Sequence, residues 1–88
     1  MDLDALLHHY FGADDLAALD AATLNQGKHR LTIDFAIERD PGRKFALWTL
    51  MDGLGIAPMP GEAFAKHPAL RHAAEDYLSA AWKLERDA

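Results

Sequence analysis

The sequence predicts a small all-α fold, a compact bundle of four to five helices over one domain, residues 1–88. Three observations carry that expectation. Apolar residues recur with helical spacing at both ends of the chain. Asp40-Pro41 is an ideal helix start placed in the most apolar stretch, Leu31 to Gly55. Half of the 88 residues are hydrophobic and 26% are charged, the balance of a folded domain rather than a disordered chain.

The first helix is read over "DLDALLHHYFG". Leu3, Leu6, Leu7, Tyr10 and Phe11 form one stripe, with Asp2 as N-cap and Gly12 as the C-terminal stop. A second short helix is expected from Asp14 or Asp15, with Leu16, Leu19 and Ala22 or Thr23 as its narrow apolar side. Thr23 and Gln26 have capping-box spacing and suggest a third start, which puts Gly27 in a first turn, where glycine costs little.

The next stretch has two readings. Leu31, Ile33, Phe35 and Ile37 alternate with Thr32, Asp34, Ala36 and Glu38, a strand pattern of period two. Read as a helix, Leu24, Leu31 and Phe35 share one face, while Ile33 and Ile37 fall on the opposite one. Turn chemistry favours the helix. Tight hairpins need positive φ at the first central residue, which proline cannot adopt. An isolated hairpin is also marginal in water. A helix ending near Arg39 and another beginning at Pro41 is the preferred reading. The alternative is an α+β fold with a strand or hairpin around 30–51, including a strand paired across a dimer.

The helix from Pro41 carries Leu47, Leu50, Met51 and Leu54 on one face, with Phe45 and Trp48 off it, and ends at Gly53 to Gly55. "GIAPMPG" reads as a loop whose Ile56 and Met59 cover the core. A short helical turn holds Phe64, and His67-Pro68 opens the last helix. There Leu70, Ala74, Leu78 and Trp82 form one ridge, and Ala73, Tyr77, Ala81 and Leu84 the next. Arg71–Glu75 and His72–Asp76 are i, i+4 pairs on its polar side.

Composition excludes several functions. With no cysteine, neither a disulfide framework nor a zinc–thiolate site can form, and a reducing cytoplasm is the expected compartment. The acidic start Met1-Asp2-Leu3-Asp4 is unlike a signal peptide, and no run approaches the roughly 20 apolar residues of a membrane span. A net charge of -5 opposes nucleic-acid binding. The alanine-rich, Asp/Arg vocabulary has the look of a high-GC bacterial coding bias.

No catalytic constellation is found, and the chain is read as a non-enzyme with no cofactor. His8 and His9 point about 100° apart on a helix, so they share no metal easily. His67 and His72 are split by a proline, and no metal site is expected. Ser79 is the only serine and lies on a regular helix. "GLG" follows a helix, so it is no phosphate-binding fingerprint.

Two binding readings remain. The central helices carry more apolar surface than their short neighbours are expected to cover. Phe45, Trp48, Met51, Leu54, Ile56 and Met59 are the candidate surface for a protein partner or a second copy. On that reading Trp48→Ala abolishes association and leaves the monomer folded. The other reading is an anion site at Asp40-Pro41-Gly42. There Arg39, Arg43 and Lys44 would hold a phosphate or carboxylate at a helix N-terminus, in competition with Asp40.

Overall fold

The computed structural model describes residues 3–12 and 16–87, the last seven of them by backbone alone. The described residues form five α-helices and one 3-10 turn: α1 (Leu3–Phe11), the turn Leu16–Ala18, α2 (Ala21–Ile37), α3 (Pro41–Gly53), α4 (Pro60–Ala63) and α5 (Pro68–Asp87). The fold is all-α, and none of the described residues is in a strand. The chain divides after Ala57 into two compact units.

In the first unit α1, α2 and α3 pack pairwise on one another. α1 buries Leu6, Tyr10 and Phe11. It stops at Gly12, whose φ of 70° is the left-handed conformation glycine adopts without penalty, and whose N–H reaches the His8 carbonyl at 2.7 Å. The expected caps Asp2, Asp14 and Asp15 lie outside the described residues.

The short second helix is reduced to the 3-10 turn, because Asp20 starts α2. The Asp20 carboxylate accepts from the Thr23 N–H at 2.7 Å. Thr23, by hydroxyl and N–H, holds that carboxyl below the usual carboxylate range. Ala22 and Thr23 therefore lie in the first turn of α2, and the Thr23–Gln26 capping box does not form the start. Gly27 is consequently mid-helix, where glycine is unfavourable, and packing explains it. A Cβ there would run into the Phe11 ring and stand 2.9 Å from the Tyr10 carbonyl oxygen. The missing side chain lets α1 cross α2 at backbone distance.

Leu31 to Ile37 is helical, so the strand alternative is overturned. The reason is the chemistry at the corner. α2 ends at Ile37, two residues before the expected Arg39, as Glu38 turns extended. Asp40 then caps α3 by accepting from the Arg43 N–H at 2.8 Å, with Pro41 in the first turn. α3 buries Leu47, Trp48, Leu50 and Met51.

In the second unit Pro60 and Gly61 open α4 instead of continuing a loop, with Met59 as N-cap. Proline at N1 accounts for the start, and the absence of a capping side chain on Met59 hid it from sequence. Phe64 follows α4 and is buried, as is Ala74 on α5. Pro68 opens α5 as expected, and the i, i+4 pair Arg71–Glu75 closes at 2.9 Å. Leu70 and Leu78 flank Ala74 half-buried, whereas Ala73 and Tyr77 are exposed. The side chains of Ala81, Trp82 and Leu84 lie outside the described residues.

Candidate functional site

α2 separates two faces. Gly27, Leu31 and Phe35, spaced by four, are buried against the neighbouring helices. Ile33 and Ile37 stand on the other side, 47% and 70% exposed. Gln26, His29 and Arg30 share their face by helical spacing and are exposed with them. The two-sided requirement read from the sequence is thus met on one side only within the described residues.

The carboxylates nearest this face are turned away from it. Asp34 accepts the Tyr10 hydroxyl hydrogen at 2.7 Å, tying α1 to α2. The Tyr10 phenol is pushed up from 10.0 to about 12, first by burial, then by that bond and the Asp34 charge, with Arg43 acting the other way. Glu38 pairs with the Arg43 Nε at 2.9 Å and also accepts the Asp40 N–H at 3.2 Å.

That arrangement bears on the anion reading. Arg39, Arg43 and Lys44 do lie about the start of α3, but their groups are largely engaged by the chain itself. Arg43 is held by Glu38, and the Asp40 carboxylate takes the Arg43 N–H that an anion would use. Lys44 donates to the Phe35 carbonyl at 2.8 Å, with its Nζ 4.1 Å from the centre of the Phe35 ring. Arg39 is exposed, while the other two are half-buried.

The six candidate partner residues are dispersed by burial. Trp48 is fully buried and Met51 nearly so. They offer no surface while the chain holds this conformation. Phe45, whose ring lies 5.9 Å from that of Trp48, is half-buried, as are Leu54 and Ile56. Met59 is 68% exposed and belongs to the second unit. Ile33 and Ile37, on their own face of the helix, are not among the six candidate residues. The signal was there: two isoleucines at i, i+4, opposite Leu31 and Phe35.

Among the described residues no group of three or more His, Asp or Glu side chains could hold a metal ion. No helix among them is long and apolar enough to cross a membrane. Comparison with known protein families, curated proteins and solved structures finds no match for this chain.

Proposed function

We propose that this chain is a small interaction protein that acts through an apolar helical surface and carries no catalytic chemistry of its own. The observation that supports this reading is the exposed pair Ile33 and Ile37 on α2. Two β-branched aliphatic side chains side by side on a regular helix are suited to packing against another helix, completing a bundle that three helices leave open on one side. The surface moves from Phe45–Met59 to the outer face of α2, because Trp48 and Met51 fill the interior. The cysteine-free composition fits a reducing cytoplasm as the place of action.

The test compares the chain with its double variant Ile33→Gln/Ile37→Gln, which keeps good helix formers at both positions. The variant is expected to stay folded and to lose whatever association the wild type shows, whether concentration-dependent mass by light scattering or proteins co-purified from cell extract. Identical mass and identical co-purified proteins for the two would reject the reading.

A further inference from the structure

The chain has no cysteine, so all of its sulfur sits in three methionines. Met1 lies outside the described residues. The other two differ sharply. Met51 is sealed in α3 at 2% exposure, and Met59 is 68% exposed. We propose that Met59 is a site of reversible oxidation, taken by peroxide to the sulfoxide and returned by a thiol-dependent sulfoxide reductase.

The forward step needs a thioether that an oxidant can reach. A lone pair on the Met59 Sδ attacks one peroxide oxygen and the O–O bond breaks. An S–O bond forms, and the second oxygen leaves as water. The sulfur loses two electrons and the peroxide gains them. In the return step two thiols supply two electrons and two protons. The sulfoxide oxygen departs as water, and the thiols become a disulfide. Because this chain holds no cysteine, both thiols belong to the reductase.

The backbone around Met59 suits both steps. The residue lies between Pro58 and Pro60 in extended conformation, φ -60° and ψ 147°, outside any helix. A second enzyme can therefore reach the side chain without unwinding an element. The side chain makes no capping bond. The start of α4 is held instead by the Met59 carbonyl, which accepts from the Glu62 N–H at 2.9 Å and the Ala63 N–H at 2.8 Å. Oxidation turns an apolar side chain into a polar one. At Met59 that new dipole meets solvent and leaves the cap untouched. At Met51 it would sit unpaired in the interior, beside the buried Trp48 and Leu50 of the same helix.

The test treats the folded full chain with hydrogen peroxide and follows oxygen uptake by mass. Cleavage before Asp52 separates the two methionines, and cleavage before Asp2 separates Met1. Met59 is expected to take one oxygen at least about tenfold faster than Met51, whose access requires opening of the fold. In denaturant the two rates are expected to converge. Circular dichroism of the singly oxidised chain is expected to match that of the untreated one. A mixture of the two epimer-specific reductases with dithiothreitol is expected to remove the oxygen. Met59→Gln, which places a polar group at the same position, is expected to shift the melting temperature by less than about 4 °C.

Equal rates at Met51 and Met59 in the folded chain would overturn the proposal. So would a sulfoxide at Met59 that the reductases leave in place, or loss of helicity on oxidation of Met59 alone.

Discussion

The two faces of α2 share one backbone and similar side chains, and they do opposite things. On one face Gly27, Leu31 and Phe35 are sealed against neighbouring helices. On the other, Ile33 and Ile37 meet solvent. Aliphatic character alone therefore says little about burial here. What distinguishes the faces is what the rest of the first unit places opposite them. The comparison predicts a steep gradient of mutational cost around one helix.

The largest expected effect is Phe35→Ala. It removes a buried ring together with its contact to the Lys44 ammonium, and is expected to cost about 3–5 kcal/mol in denaturant unfolding. A cost below about 1 kcal/mol would mean that this face is not the sealed one.

Next comes Gly27→Ala. Helix propensity alone would make alanine stabilising by about 1 kcal/mol. The Cβ, however, meets the Phe11 ring and the backbone at Tyr10. Backbone cannot swing aside as a side chain end can, so a net loss of about 1–3 kcal/mol is expected. A stabilised variant would show that the two helices are not in such close contact.

Legibility in the sequence follows the range of the forces involved. Asp40-Pro41 was readable because capping is settled within four residues. The stop at Gly12 was readable for the same reason. Asp20 carries an equally local signal, but Thr23 and Gln26 offer a competing capping-box spacing three residues on. Gly27 could not be interpreted without knowing that Phe11 lies against it. The burial of Trp48 was likewise a property of packing, not of its own helix. That Arg43 pairs with Glu38 was not legible either, since Glu38 and Asp40 both lie within five residues of it and the sequence does not say which carboxylate it meets. Helical spacing puts Ile33 and Ile37 on their own face, yet whether anything covers that face is again a tertiary question.

A smaller effect is expected from Tyr10→Phe, which deletes the hydrogen bond to Asp34 and costs about 1 kcal/mol near neutral pH. It also has a pH signature. The folded-state pKa of about 12 lies above the ordinary 10.0, so the stability linked to this phenol is fully present below pH about 10 and is lost as pH rises through 12. The wild type should lose more melting temperature than Tyr10→Phe over that window. Parallel curves would mean that Tyr10 ionises as it does in the unfolded chain.

The smallest effect tests the other side of the comparison. Ile37→Gln is expected to change stability by no more than about 0.5 kcal/mol, the usual bound for a surface site. A loss comparable to that at Phe35 would show that the outer face is covered in solution.

The bond from the Lys44 ammonium to the Phe35 carbonyl has a consequence for motion. It closes the last turn of α2 with a side chain from the first turn of α3. Fraying at the end of α2 has to break this bond, which ties it to the first turn of α3. Amide protons on both sides of the corner should therefore exchange with solvent as one cooperative event, so that residues 34–47 open as a single segment and not as two helices joined by a hinge.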